Sequence, residues 1–265
     1  MLLSPFLHLI CIPTDLGANM AGASLGPRRV MDALFDRDCH PDNTFVSQGA
    51  SLRHMLAHSY VLGLDSIRSK RHTAFLGGDH SVSIATVASA NDACNERGEA
   101  LGVLWCDAHA DFNTLSTSPS GNLHGMSVSV LCGHTWDLFR MGSSTMHPCQ
   151  FAYWGVRDMD CMEKVRMEKE GMTHLHSEDE LEEWASRFDK VHVSFDMDCL
   201  DPSFAPGVST PVSGGKSVEE AERMIGKVRQ LGKLVSMDIV ELNPTRDVDA
   251  KTEDAACRLL ESAFG

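Results

Sequence analysis

The sequence predicts an α/β protein of three layers, in which a mostly parallel central sheet lies between two layers of helices. Short apolar runs alternate along the chain with longer amphipathic segments, an order typical of strands joined by crossover helices. The apolar runs are nearly continuous, as in parallel strands that are buried on both faces. We expect one domain over residues 1–265, because this length suits one large α/β domain better than two small ones.

Six apolar runs predict the strands of this sheet. The first, at residues 6–12, belongs to an apolar stretch that begins at Leu2 and ends at the Pro-Thr-Asp turn of residues 13–15. No basic segment precedes it, so we interpret it as a core strand and not as a signal peptide. The other predicted strands are residues 73–76, 101–106, 151–156, 191–195 and 234–239.

Amphipathic segments between these runs predict helices at residues 26–35, 81–95, 177–188 and 217–231. No apolar run is long enough to cross a bilayer, so we expect no membrane partner. The nine cysteines are odd in number and form no CxxC pair, which indicates reduced cysteine in a reducing compartment and predicts a cytoplasmic protein.

The composition of the chain indicates an ordinary globular protein, with 43% hydrophobic and 23% charged residues. The formal net charge is -14, and an acidic surface repels phosphate backbones. Nucleic acid is therefore excluded as an expected partner. A small cationic substrate is compatible with this charge.

Four predicted strands are followed by acidic or histidine-bearing segments. GGDH lies at residues 77–80, DAHAD at residues 107–111, DMD at residues 196–198, and Glu241 follows the last strand. Ligands of open α/β sheets bind at the carboxyl ends of the strands, so we expect these side chains to converge on one site.

The DAHAD segment carries three ligand-type side chains on alternate residues, which face the same side of an extended chain. Carboxylates packed together without a cation repel one another and lose their hydration. A single Asp after a strand is more often a turn former or a helix N-cap. Three such motifs, each at a strand end, favour a metal site instead.

The number of ligand-type side chains indicates two ions, with Asp107 and Asp196 as candidate bridges. Two ions about 3.5–4 Å apart can share one water molecule and lower its pKa toward about 7. The oxygen-rich donor set favours Mn²⁺ over Zn²⁺. The candidate ligands are His80, Asp107, His109, Asp111, Asp196 and Asp198.

These motifs resemble those of the ureohydrolase family, which includes arginase and agmatinase. The resemblance rests on GGDHS at residues 77–81, DAHAD at 107–111 and SFDMDCLDP at 194–202, and it extends to the loop of residues 15–27 and a last helix at 252–265. It implies an arginase-like fold and two Mn²⁺ ions per chain. One ion would be held by His80, Asp107, Asp111 and Asp196, and the other by Asp107, His109, Asp196 and Asp198.

Within that family the chain is most similar to arginase, because of the segments at residues 113–125, 155–163 and 237–244. This likeness implies hydrolysis of the guanidinium of L-arginine to L-ornithine and urea. Asp111 would accept a proton from the nucleophile, His124 would shuttle protons, and Glu241 would bind the guanidinium. The substrate-binding residues implied in this way are Asn113, Ser118, Ser120, Asn122, Asp160, Glu163 and Thr210.

Several of these residues also have an ordinary structural interpretation. His124 is one of 13 histidines and could be a loop residue bonded to backbone, although its Asn-Leu-His-Gly context favours the shuttle. The residues of the 113–122 loop are, by themselves, only a polar loop, and Asp160 with Glu163 an acidic turn. For Thr210 we expect a hydrogen bond near Glu241 or the guanidinium, and Asp79 is expected to orient a ligand or a loop.

Three alternatives remain at this point. The first is hydrolysis of agmatine, guanidinobutyrate or another guanidino compound, which does not need a loop for an α-carboxylate. The second is a non-catalytic metal-binding protein with the same fold. The third is a metal-dependent deacetylase, which the paired DxHxD and DxD motifs fit poorly. The family likeness also implies a homo-oligomer, either a trimer or a hexamer.

Overall fold

One parallel sheet of eight strands runs through the computed structural model, which describes residues 7–69 and 71–265. The strands are β1 (Leu7–Ile12), β2 (Asn43–Val46), β3 (His72–Gly77), β4 (Leu101–Cys106), β5 (Phe151–Trp154), β6 (Thr173–His174), β7 (Lys190–Asp196) and β8 (Leu234–Val240). The helices are α1 (Gly26–Asp36), α2 (Leu52–Arg68), α3 (Ser83–Asn95), α4 (Ser127–Leu131), α5 (Cys161–Glu170), α6 (Glu178–Ala185), α7 (Val218–Gln230) and α8 (Lys251–Phe264).

The strands follow the order β2-β1-β3-β8-β7-β4-β5-β6, and every neighbouring pair is parallel. The prediction of a mostly parallel sheet is confirmed, and among the described residues the sheet contains no antiparallel strand. The last two strands of the chain, β7 and β8, lie in the middle of the sheet between β3 and β4.

Helices cover both faces of the sheet and separate two hydrophobic cores. Along β4 the side chains alternate between them: Leu104 and Cys106 belong to the core under α1, α6, α7 and α8, whereas Val103 and Trp105 belong to the core under α2, α3, α4 and α5. Every residue of β4 is buried. Burial on both faces explains the continuous apolar runs in the sequence.

Serine caps set the beginnings of three helices. Ser177 and Ser217 accept hydrogen bonds from the backbone N–H groups of Glu180 and Glu220, and Glu220 in turn accepts from the Ser217 N–H. Ser51 caps α2 in the same way. These contacts satisfy donors that have no partner within the helix. The predicted helices that start at residues 177 and 217 therefore begin one residue later, after their caps.

The six predicted strands form within two residues of their predicted ends, except that Phe6 lies outside the described residues. The predicted strand at residues 151–156 ends early, at Trp154, because Gly155 turns the chain with a φ of 99°. Two short edge strands, β2 and β6, and the helices α2, α4 and α5 were not among the predicted elements. No helix among the described residues is both long and apolar enough to cross a membrane.

Candidate active site

The tips of the four central strands bring the predicted metal ligands together. His80 follows β3, the DAHAD segment follows β4, Asp196 ends β7, and Glu241 follows β8. These strands are neighbours in the order β3-β8-β7-β4, so residues far apart in sequence meet at one edge of the sheet. The expected convergence is therefore present in the geometry.

The first cluster surrounds the His80 imidazole, which is buried. Its Nδ1 atom lies 3.0 Å from Asp107 Oδ2, 3.1 Å from Asp196 Oδ2 and 3.3 Å from Asp111 Oδ2. His80, Asp107 and Asp196 could together hold a metal ion. Asp111 Oδ2 is also buried and accepts no hydrogen bond, which leaves a lone pair directed at the cluster.

The second cluster consists of Asp107, His109 and Asp198 and could likewise hold a metal ion. His109 Nδ1 lies 3.1 Å from Asp198 Oδ2 and 3.4 Å from Asp107 Oδ1. The two carboxylate oxygens of Asp107 thus face different imidazoles, Oδ2 toward His80 and Oδ1 toward His109. This is the arrangement required of a carboxylate that bridges two cations.

The electrostatics of the clusters fit a cation. Burial raises the pKa of Asp196 well above its ordinary value, and the neighbouring carboxylates of Asp198 and Asp107 raise it further. Burial by itself would lower the pKa of His80, but hydrogen bonds to Asp107 and Asp196 raise it well above its usual range. Buried carboxylates that lie this close together need positive charge beside them. Where no metal ion is bound, protons must supply that charge. Divalent cations with a preference for oxygen ligands fit this donor set.

The Trp105 side chain contacts two residues of the first cluster, His80 and Asp107. Its ring stacks on the His80 imidazole at a centroid distance of 4.2 Å and an interplanar angle of 5°, and its indole N–H donates to Asp107 Oδ2 at 3.1 Å. In the sequence, Trp105 stands out only as a residue of the predicted strand at 101–106. Its position two residues before Asp107, with its side chain on the same side of the strand, is the signal that could have identified it.

Glu241 and His124 form a pair beside the first cluster. Glu241 Oε1 accepts from the His80 backbone N–H at 2.9 Å and lies 3.0 Å from His124 Nδ1, while Glu241 Oε2 is buried without a hydrogen-bond partner. Burial lowers the pKa of His124, but the contact with Glu241 outweighs it and raises the pKa to about 9. The pair therefore combines a free acceptor with a readily protonated imidazole.

Two site residues have left-handed backbone conformations without being glycine. The φ angle is 49° at Asp111 and 64° at Glu241. Such conformations cost about 1–2 kcal/mol each and persist where the surroundings enforce them. At Glu241 the backbone N–H donates to the Gly78 carbonyl at 2.7 Å, which fixes the turn after β8.

Asp79 holds the N-terminal loop against the site. It accepts from the backbone N–H groups of Gly17 at 2.8 Å and Ser81 at 2.9 Å, and the Gly17 carbonyl accepts from the His124 N–H at 3.1 Å. A side chain at Gly17 would overlap the Ser81 hydroxyl and the Asp79 carboxylate. Asp79 thus lies behind the loop and does not belong to either cluster.

A cavity of about 290 Å³ opens at the two clusters. All seven residues that the family resemblance implied for substrate binding line it, together with His124, Glu241 and ligand-type residues of both clusters. Asn19 and Met159 also line the cavity. They were not among the candidates, although both lie within segments that the resemblance covers.

Several of these lining residues already have protein partners. Asn113 Nδ2 donates to Asp160 Oδ2 at 2.9 Å. Glu163 accepts from the Phe112 backbone N–H at 2.8 Å, and burial raises its pKa to about 7. The hydroxyl of Thr210 donates to Asp198 Oδ2 at 3.0 Å. The expected contact of Thr210 with Glu241 is therefore replaced by one with the second cluster, because the turn after β7 places Thr210 beside Asp198.

Arg157 holds the segment that follows Asp198. Its guanidinium donates to six backbone carbonyls, those of Gly155, Asp198, Cys199, Leu200, Val212 and Ser213. A planar guanidinium has five N–H donors in a fixed fork, which suits several acceptors at once. The contacts connect the turn after β5 to the loop that carries a ligand of the second cluster.

We expect Arg157→Lys to lower the free energy of unfolding by roughly 1–3 kcal/mol, because one ammonium group cannot satisfy these carbonyls and leaves several buried without a donor. For a chain of this size the melting temperature should fall by about 2–10 °C. Differential scanning calorimetry measures this change. Arg28→Lys is the control, since Arg28 is exposed and its ion pair is with Asp32, one helical turn away. An unchanged melting temperature in Arg157→Lys would contradict the prediction.

An all-parallel sheet whose central tips carry two adjoining His/Asp clusters, each able to hold a metal ion, has the architecture of an α/β enzyme with its site at the strand ends. A family model described as the arginase family matches residues 7–265. The chain belongs to the arginase family, whose members are ureohydrolases.

Named relatives agree with this assignment. The arginase of Bacillus subtilis (strain 168) is 34% identical over 98% of this chain and 97% of its own length. The arginase of Coccidioides immitis (strain RS) is 36% identical over 75% of this chain and 68% of its own length. Among solved structures, a Bacillus subtilis arginase superposes with a TM-score of 0.87 at 31% identity over 99% of both chains.

Proposed function

We propose that the protein hydrolyses L-arginine to L-ornithine and urea with two Mn²⁺ ions. The observation that carries this proposal is Asp107, whose two oxygens face the imidazoles of the two His/Asp clusters, beside the Glu241 Oε2 atom that has no hydrogen-bond partner. The cavity thus combines two candidate cation positions with an acceptor suited to a guanidinium. The family membership and the arginase relatives support the same activity.

The six candidate ligands are those of the two clusters together with Asp111. When bound, the two cations would supply the acidity that ionises a water molecule near neutral pH. Oxygen donors predominate and no cysteine sulfur belongs to either cluster, which supports Mn²⁺ over Zn²⁺.

Glu241 would bind and orient the substrate. A guanidinium is always protonated at neutral pH and presents paired N–H donors, so it matches a carboxylate oxygen that has no partner within the protein. This contact holds the guanidinium carbon over the clusters. Because the guanidinium is resonance-stabilised and its carbon is a poor electrophile, such positioning contributes directly to the rate.

Asp111 and His124 would move the protons. The Oδ2 atom of Asp111 is free to accept a proton from the attacking water. His124 is protonated at neutral pH because its pKa is about 9, so it can donate a proton to the departing amino group of ornithine. The overall reaction consumes one water molecule, breaks one C–N bond and gives urea and the amine.

The loop that carries Asn113, Ser118, Ser120 and Asn122 lines the cavity. These side chains supply hydrogen bonds suited to an α-carboxylate. Beside Asn113, Asp160 and Glu163 also line the cavity and supply carboxylate oxygens suited to an α-ammonium. An amino-acid head group is therefore favoured over agmatine, which lacks the carboxylate.

Urea release from L-arginine, agmatine and guanidinobutyrate in the presence of Mn²⁺ tests this function. We expect arginine to have the highest kcat/KM. Equal or faster turnover of agmatine would identify a different guanidino substrate. Metal-loaded protein that releases urea from none of them would support the non-catalytic alternative.

The family likeness also supports a homo-oligomer, a trimer or a hexamer, and we propose that the protein works in a reducing compartment. None of the nine cysteines forms a disulfide in the structure, and seven of them are buried. Sedimentation equilibrium of the native protein determines the number of subunits, and a monomer would exclude the proposed assembly.

The pKa of His124 provides a test of the pair that it forms with Glu241. In metal-free protein we expect His124 to titrate at about 9, and in Glu241→Gln the pKa should fall toward the ordinary value of about 6.5. Since the folded pKa is raised, the stabilisation is complete below about pH 6.5 and is lost as the pH rises through about 9. NMR titration of the imidazole measures both values. Equal values in the two proteins would show that the pair does not control His124.

A further inference from the structure

A row of buried polar side chains continues behind His80, away from the cavity. His80 Nε2 lies 3.0 Å from Ser194 Oγ, and the Ser194 hydroxyl donates to Asp238 Oδ1 at 2.7 Å. Ser194 and Asp238 are register partners on the neighbouring strands β7 and β8. The row therefore passes from the first cluster into the middle of the sheet.

Asp238 is a fully buried carboxylate with three donors. Besides Ser194, it accepts from the Thr86 hydroxyl and from His192 Nε2, which lies 3.0 Å from Asp238 Oδ2. His192 Nδ1 in turn lies 2.8 Å from Ser236 Oγ. Burial would raise the pKa of Asp238, but the hydrogen bond from His192 and its charge outweigh burial and hold the pKa below its ordinary value.

The hydrogen bonds of this row are donated in one direction, from His80 to Ser194 and from Ser194 to Asp238. An ionised carboxylate only accepts, so the single hydroxyl proton of Ser194 is directed to Asp238. Ser194 Oγ must then accept from His80, which places a proton on Nε2 and leaves the Nδ1 lone pair for the first cluster. Ser194 Oγ also lies 3.2 Å from Ser83 Oγ, which could accept the same proton, but the contact with Asp238 is shorter and its acceptor is charged.

Asp238 is not among the residues that line the cavity or form the two clusters, and in the described part of the chain it has no hydrogen bond to a cluster residue. An isolated buried charge is costly, and apolar side chains of similar volume would fill the same space at lower cost. Its hydrogen bonds connect it, through the Ser194 hydroxyl, to one ligand-type residue, His80. Its effect on the site must therefore act through the orientation and basicity of that imidazole.

We propose that Asp238, held by His192 and Thr86, is a positioning residue that orients His80 through Ser194 and thereby sets the affinity of the first cation site. The role rests on the proposed function, because it requires that His80 binds an ion. It concerns one site only, since His109 of the second cluster has no contact with this row.

The test compares Mn²⁺ binding to native protein, Asp238→Asn and Ser194→Ala by isothermal titration calorimetry. In Asp238→Asn the amide can donate to Ser194, so the Ser194 hydroxyl is no longer required to accept from His80. In Ser194→Ala the hydroxyl that connects His80 to Asp238 is absent. Partners that orient a ligand typically contribute about 10–100-fold to metal affinity. We expect each variant to lower the affinity for one of the two Mn²⁺ ions by about tenfold or more and to leave the affinity for the other unchanged.

The matched control is Asp92→Asn. Asp92 is a buried carboxylate that accepts from Tyr60 and Ser143, and these contacts do not lead to the clusters. Electron paramagnetic resonance provides a second readout. At two equivalents of Mn²⁺, native protein and Asp92→Asn should give the spectrum of a coupled pair, whereas Asp238→Asn should show isolated ions.

Native affinity for both ions in Asp238→Asn and Ser194→Ala would overturn the positioning role and leave the proposed function intact. An equal loss at both ions, matched by Asp92→Asn, would also overturn it, because general destabilisation would then be the cause. Native protein that binds no Mn²⁺ would instead overturn the proposed function, and the positioning role with it. Should Asp238→Asn fail to fold, Ser194→Ala decides between these outcomes.

Discussion

Asp107→Asn is expected to remove most of the bound Mn²⁺ and to lower arginine turnover by about 10²–10⁴-fold. The substitution keeps the shape of the side chain but removes a charge shared by the two clusters. Loss of one partner from a buried charged contact costs about 3–5 kcal/mol, which corresponds to this range. Metal analysis of the purified variant and the rate of urea release measure the two effects.

The control for this variant is again Asp92→Asn, which removes a buried negative charge outside the site and should keep native metal content. Asp107→Asn with two bound ions and native turnover would refute its role as a bridging ligand. Retention of one ion would show that Asp107 serves a single cluster.

Glu241→Gln is expected to lower kcat/KM for arginine by about 10²–10³-fold while both ions remain bound. The glutamine side chain still accepts from the His80 backbone N–H, but it cannot form a charged pair with a guanidinium. Charge-assisted hydrogen bonds contribute about 1.5–3 kcal/mol each, and a contact to two guanidinium donors involves two of them. Steady-state kinetics with metal analysis separate substrate binding from metal loss.

Glu253→Gln serves as the control, because Glu253 pairs with Arg29 outside the cavity and should leave the kinetics unchanged. Unchanged kcat/KM in Glu241→Gln would exclude a contact with the guanidinium. A loss of bound Mn²⁺ would show that Glu241 acts on the metal site instead.

The class of fold could be predicted because the strands of a parallel sheet are buried on both faces and therefore have continuous apolar sequences. The edge strands were not predicted because they lack this burial on both faces. β2 is mostly exposed and β6 has only two residues, so neither has an apolar run. Helix α2 was missed because its buried face includes Ser59, Gly63 and Ser66, which weaken the amphipathic pattern.

The meeting of the candidate ligands could be predicted because each follows a strand, and strand ends share one edge of the sheet. The hydrogen-bond partners that lie behind those ligands could not be predicted. Ser194 and Asp238 contact each other only because β8 lies beside β7, and the sequence does not state the strand order. The contact of Thr210 with Asp198 could not be predicted for a similar reason, since it depends on the path of the loop after β7, which the Arg157 contacts hold.

The backbone at Asp111 and Glu241 was also beyond prediction. A left-handed conformation is unfavourable for both residue types, so local preference argues against it. It is imposed by contacts distant in sequence, such as that between the Glu241 N–H and the Gly78 carbonyl. Local sequence patterns contain no information on such contacts.

The central position of β7 and β8 affects the synthesis of the protein on the ribosome. Strands β3 and β4 emerge early, but the two strands that separate them in the finished sheet are the last to be translated. A nascent chain that ends before residue 196 lacks Asp196, Asp198 and Glu241, three carboxylates of the two clusters and the cavity, so neither the proposed ion sites nor the substrate pocket can be complete. Assembly of the sheet centre must wait for the final strands to insert between earlier ones, a step dominated by contacts between distant parts of the chain and therefore slow.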